Sequence, residues 1–139
     1  MSTKLTIHPR QGVNNIRLGM ERDVVHAEVG KPSKSFLKFQ DDPNMSEEYK
    51  SLGIFLYYDK DDRVKAIEAW DEANLFYDNV DLFNMKYKNA ISFFRERDPD
   101  LKILSDGFIS QKLGINTWFE NEINDDSKFT SITVFKEGF

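Results

Sequence analysis

The sequence predicts an α+β fold: two tandem helix-plus-antiparallel-sheet units forming one two-layer domain over residues 1–139. Three observations predict it. Two short segments carry apolar residues at helical spacing, and each is stopped by a breaker. Each is followed by aromatic and β-branched runs separated by polar turns. The order of these features in the first half also recurs in the second.

The recurrence is legible residue by residue. At an offset of 65, Leu18 matches Phe83, Met20 matches Met85, Val25 matches Ala90 and Val29 matches Phe94. Val64 and Ile67 match Phe129 and Ile132 at the same offset. Leu52-Gly53-Ile54 returns as Leu113-Gly114-Ile115, and an aromatic pair follows each, Tyr57-Tyr58 and Trp118-Phe119. The units are therefore expected over about residues 13–70 and 80–136.

The first helix is expected over residues 20–29, with Val25 and Val29 on one face, Gly30 as its cap and Pro32 preventing continuation. The second is expected over 85–97, with Ala90, Ile91, Phe93 and Phe94 inward and Pro99 ending it. Strands are expected at 36–39, 54–59, 63–70, 101–104, 108–112, 115–120 and 129–136. Asp59-Lys60-Asp61-Asp62 and Ser105-Asp106-Gly107 supply hairpin turns. Residues 40–50, polar and containing Pro43, read as a long loop. The link 71–80 holds Leu75, Phe76, Tyr77 and Val80 and is expected to pack.

Composition narrows the function. The chain has 12 Phe, 5 Tyr and 2 Trp and is 40% hydrophobic, enough for a core and unlike a disordered chain. No apolar run approaches a membrane span. The start is polar, reads as no signal peptide, and no cysteine occurs, so a cytoplasmic location is expected. A net charge of −5 with no basic cluster argues against nucleic acid. Acidic residues gather instead, at Asp41, Asp42, Glu47 and Glu48, at Asp59, Asp61 and Asp62, at Glu68, Asp71 and Glu72, and around Glu120. Such runs solubilise, or steer a basic partner.

The chemistry of an enzyme is missing. No cysteine is available as nucleophile, and neither His8 nor His26 sits in a catalytic motif; His26 is expected to point to solvent. No glycine-rich phosphate loop and no zinc spacing is present. Asp59-x-Asp61 resembles the start of a calcium loop, but Val64 stands where glycine is required and Trp70 where glutamate is. Neither catalytic residues, metal nor cofactor is expected.

The stretch Gly12-Val13-Asn14-Asn15-Ile16-Arg17-Leu18-Gly19-Met20, continuing through Val25 to Val29-Gly30-Lys31-Pro32, carries a resemblance. It resembles the L-G-M then L-G-x-P opening of the small lipoproteins of the bacterial β-barrel assembly machinery. It is also similar to each half of the tandem-repeat β-lactamase inhibitory proteins. The resemblance implies a fold unit of short helices over an antiparallel sheet, two of which form a concave sheet surface. The anchoring cysteine of the lipoproteins and the cysteines of the inhibitors are missing, so neither an envelope role nor β-lactamase as target is implied. Small, acidic, cysteine-poor bacterial immunity proteins, which neutralise a toxin such as a nuclease by binding it, resemble this chain in composition.

A non-catalytic inhibitor that binds a protein, such as an immunity protein facing a basic toxin domain, is therefore the expectation. A cytoplasmic interaction module, with a homodimer among its forms, is the alternative. The candidate partner-binding residues are Asp41, Asp42, Glu47, Glu48, Tyr57, Asp59, Asp61, Asp62, Trp70, Trp118 and Glu120. Aromatic residues are the usual anchors of an interface.

Overall fold

Along Ile54-Phe55-Leu56-Tyr57-Tyr58 and Val64 to Trp70, large side chains point to both sides of an extended chain, as a central strand requires. A computed structural model describes residues 3–136 and pairs these two segments at the middle of a large sheet. The elements in chain order are β1 (Lys4–His8), β2 (Gly12–Val13), β3 (Ile16–Arg17), α1 (Arg22–Val29), β4 (Lys34–Phe36), β5 (Ser46–Tyr49), β6 (Ile54–Tyr58) and β7 (Val64–Trp70). They continue as β8 (Asn74–Tyr77), β9 (Val80–Asp81), a 3-10 turn (Leu82–Asn84), α2 (Tyr87–Arg97), β10 (Lys102–Leu104), β11 (Gly107–Ser110), β12 (Ile115–Trp118) and β13 (Ser131–Phe135).

The fold class is corrected by this architecture. Strands hold 39% of the described residues and helices 16%, so the protein is mostly β rather than a balanced two-layer α+β domain. Two sheets are present among the described residues. One has eight strands in the order β10-β11-β12-β13-β7-β6-β5-β4, and the other has five in the order β3-β2-β1-β8-β9. The second sheet is what the expectation lacked. It forms from the polar-looking start and the link: Leu5 and Ile7 alternate with Lys4, Thr6 and His8, and β1 lies parallel to β8 with Leu5 opposite Leu75. The extension of the domain to residues 1–2 and 137–139 lies outside the described residues.

The eight-stranded sheet is antiparallel throughout, and its centre is the β7–β13 pair. Glu68 stands directly opposite Thr133, which lies 65 residues further along the chain. The registers propagate outward from that pair. Leu56 faces Ile67 as Thr117 faces Ile132, which places β12 at an offset of 61 from β6. Glu47 faces Leu56 as Phe108 faces Thr117 across Thr117's hydrogen bonds, carrying 61 on to β5 and β11. Gly53 and Gly114 are related by the same step, and both adopt left-handed backbone, φ 73° and 68°. A Cβ on Gly114 would lie 2.5 Å from the carbonyl oxygen of Phe135, and one on Gly53 2.9 Å from the amide of Ala73.

The two faces of this sheet differ. One face holds Ile54, Leu56, Ile67, Ile115, Ile132 and Val134, and these join the core with Val25 of α1, Ala90 and Phe94 of α2, and Leu5, Ile7 and Leu75 of the small sheet. The outer face carries a smaller cluster drawn from the sheet itself: Tyr57, Ala66, Ile109 and Phe135, with Phe36, Phe55 and Leu104 against them.

Several expected segments shift. Strand β5 occupies residues 46–49, inside the expected loop 40–50, and β4 ends at Phe36 where the expected strand begins. His26 does not point freely to solvent; its Nε2 lies 2.7 Å from Glu47 Oε2. Among the described residues no helix is long and apolar enough to cross a membrane.

Candidate functional site

Side chains directly opposite one another in an antiparallel pair point to the same face. Trp70 is opposite Ser131, and Ser131 is opposite Trp118, so both indoles rise from the outer face with a serine between them. Ser131 is small enough for the rings to meet over it, edge to face, with centroids 6.1 Å apart. Phe55, opposite Glu68, is one diagonal step from Trp70 and meets it at 5.6 Å. Phe36, opposite Ser46, reaches across β5 to Phe55 at 5.5 Å. A ladder of four edge-to-face aromatics therefore crosses from β4 to β12, using Ser46 and Ser131 as low points. Each such contact contributes about 0.5–1.5 kcal/mol beyond area burial.

The ladder is partly open to solvent. Trp118 is 37% exposed, and Phe36, Phe55 and Trp70 are half-buried. Trp70 Nε1 is buried and has no hydrogen-bond partner among the described residues, and such a donor is uncommon in a folded protein. Tyr57, on the same face, is buried; Lys38 Nζ sits 4.2 Å from its ring centroid. Its hydroxyl donates to Glu68 Oε1 at 2.6 Å. Burial, then that bond and the charge of Glu68, pushes the Tyr57 phenol far above its ordinary value.

A pocket of about 210 Å³ opens beside the ladder, lined by Phe55, Trp70, Ile54 and Gly53 and by Glu48, Lys50, Asp71 and Glu72. None of these four charged side chains is hydrogen-bonded or ion-paired among the described residues.

The acidic residues expected to act together do not form one surface. Glu47 is 2% exposed and belongs to the core side of β5, not to a surface loop. Its Oε2 pairs with Arg22 Nη1 at 2.9 Å and His26 Nε2 at 2.7 Å, and its Oε1 accepts from the Tyr58 hydroxyl at 2.7 Å. Asp62 is held by Arg22 at 2.7 Å. Its hydrogen bond with that guanidinium, against a smaller opposing cost of burial, keeps the carboxyl below the ordinary carboxylate range. Burial works against the charge of Arg22, but its hydrogen bonds to Asp62 and Glu47 hold it above the ordinary arginine value. Asp59 builds the hairpin turn by accepting from the amides of Asp61 and Arg63, and Asp42 accepts from the amide of Phe39. Asp41, Asp61 and Glu120 are exposed. Of the candidate partner-binding acids, Glu48 stands beside the aromatic ladder, opposite Phe55, and Glu68, Asp71 and Glu72 of the neighbouring acidic run join it there.

Unit by unit comparison explains Glu47. Arg22 and Tyr87 open α1 and α2 at an offset of 65, Glu47 corresponds to Phe108 at the strand offset of 61, and Tyr58 and Phe119 follow at that same step. In the second half those three rings pack together, Tyr87 at 6.5 Å from Phe108 and 5.1 Å from Phe119, within a cluster that includes Phe94 and Phe129. A charged trio thus fills in one half the space that an aromatic trio fills in the other. Sequence reading missed Phe36, Phe55, Asp71 and Glu72 as members of the face. The alternation of 54–58 contained the signal for Phe55, since it shares a side with Tyr57.

Among the described residues no group of three or more His, Cys, Asp or Glu is arranged to hold a metal. Compared with known proteins, the chain matches no family model, no curated protein and no solved structure.

Proposed function

We propose that this chain is a non-catalytic cytoplasmic inhibitor that holds a basic protein domain against the outer face of its eight-stranded sheet, as an immunity protein holds the bacterial toxin it neutralises. The observation that carries the reading is the Phe36–Phe55–Trp70–Trp118 ladder, half-open on a sheet face, with carboxylates at its side. Aromatic side chains concentrate binding energy because they bury much area at little conformational cost. The enclosed carboxylate of Glu47 has both oxygens occupied by structural partners, which accords with a non-catalytic role.

The test is co-expression with the product of the neighbouring gene. A 1:1 complex with rescue of growth is expected, with Trp70→Ala and Trp118→Ala losing the rescue at unchanged folding. Rescue that survives both substitutions would remove the outer face from the account.

A further inference from the structure

We infer that the pocket beside Phe55 and Trp70 receives an arginine side chain of the bound protein. This rests on the outer face being the docking face and names the chemistry of one contact. Three features carry it. The pocket is small: about 210 Å³, below the roughly 300–1,000 Å³ of sites that enclose whole small molecules, so it suits a single side chain from a larger partner. Its lining includes two aromatic residues, Phe55 and Trp70, beside Gly53 and Ile54, and a cation near such rings is attracted by their quadrupole. Its lining also carries three carboxylates, Glu48, Asp71 and Glu72, against one ammonium, Lys50. None of the four has an internal partner among the described residues, in contrast to Glu47 and Asp62, which are both tied to Arg22.

Arginine fits this combination better than lysine. Its guanidinium is planar and weakly hydrated, so it packs against rings while its N–H groups fork onto carboxylates. A lysine ammonium gives up more hydration to enter the same space. The partner is therefore a protein with an arginine projecting from the surface it presents to the ladder, and the neighbouring Trp118 and Phe36 take its apolar surroundings.

The experiment uses the full chain with a nona-arginine peptide and a nona-lysine peptide as probes, followed by the NMR signals of the indole N–H groups. The Trp70 signal is assigned with the Trp70→Phe variant. The arginine peptide is expected to shift the Trp70 indole and the amides of Phe55 and Glu72, binding about fivefold or more tighter than the lysine peptide. Replacing the three carboxylates by Glu48→Gln, Asp71→Asn and Glu72→Gln together is expected to weaken it about tenfold. Equal charge removal elsewhere, at the exposed Asp23→Asn, Glu28→Gln and Asp100→Asn, is expected to change it less than about twofold. Equal binding of the two peptides, equal effects of the two triple variants, or shifts confined to other residues would each overturn the assignment. If the pocket fails while Trp70→Ala and Trp118→Ala still abolish growth rescue, the docking face stands without its arginine. If those two variants also retain rescue, the docking face itself falls.

Discussion

Replacing Glu47 by alanine tests how the charged trio holds the first half together. Glu47 is 2% exposed and has three partners within 2.9 Å. Its removal does not strand Arg22, which keeps Asp62 and donates to the Met45 carbonyl. It does strand the Tyr58 hydroxyl, since Tyr58 is 4% exposed, and an unsatisfied buried hydroxyl costs about 1–3 kcal/mol. A cavity at the carboxylate's place adds to this, and the total comes to about 2–4 kcal/mol. For a chain of this size that lowers the melting temperature by roughly 10 °C. Urea unfolding followed by circular dichroism and tryptophan emission reads the loss directly. The equivalence of the two trios also predicts a rescue. The triple variant Arg22→Tyr, Glu47→Phe and Tyr58→Phe installs the Tyr87–Phe108–Phe119 arrangement, and apolar replacement of a buried charge network is often neutral or stabilising by about 1–4 kcal/mol. A loss below about 1 kcal/mol for Glu47→Ala, or a triple variant less stable than the single one, would refute the equivalence of the two trios.

Three further outcomes follow from the geometry. Gly114→Ala is expected to destabilise by more than about 1 kcal/mol, because the new methyl meets the Phe135 carbonyl and φ is 68°; chemical denaturation measures it. The Asp62 carboxyl is depressed in the folded state by Arg22, so its contribution is complete above the ordinary carboxyl range and is lost as pH falls below it; Asp62→Asn should flatten that part of the acid limb of stability. On the alkaline side, burial raises Tyr49 to about 12 and raises Tyr57, Tyr58 and Tyr77 above their ordinary value. Their neutral forms favour folding fully below pH about 10, and that contribution fades as pH climbs towards the folded values; phenolate absorbance should therefore appear late and together with unfolding.

What the sequence disclosed depended on how local each signal was. Strands β6 and β7 were readable because bulky residues occupy both sides of consecutive positions and a four-residue acidic turn joins them. Helix α1 was readable because Val25 and Val29 share a face and Gly30, at φ 84°, closes it. Strand β1 escaped because its partner β8 lies some 70 residues away, at Leu75 for Leu5, and five residues with charged ends look like any polar start. Strand β5 escaped because Ser46-Glu47-Glu48-Tyr49 offers one apolar residue to an alternation rule. Glu47 is buried only because Arg22, His26 and Tyr58 arrive from other elements, and composition assigns a lone glutamate to water. The ladder was half visible: Trp70 and Trp118 were candidates as residues, but their meeting over Ser131 depends on the β7–β13 register, a pairing across 61 residues.

That register also argues for how many partners one chain can hold. A face built on a local two-fold through Glu68 and Thr133 would offer two equivalent docking sites if both halves carried the same outward side chains. They do not. Trp70 corresponds to Phe135, which is 0% exposed, and the half-open Phe55 corresponds to Asn116. Trp118, the most exposed aromatic of the ladder, corresponds to Tyr57, which is buried and lies beneath Lys38. On the core side, by contrast, corresponding positions keep their bulk even where charge replaces rings, as at Glu47 and Phe108. Packing therefore holds the two halves to a common shape, while the outer face departs from symmetry where a partner would touch it. Among the described residues one such ladder is present, so one partner per chain is expected. Light scattering of the purified complex at excess partner should give 1:1; a 2:1 complex would show that the corresponding surfaces of the second half bind as well, and that the ladder is not the anchor.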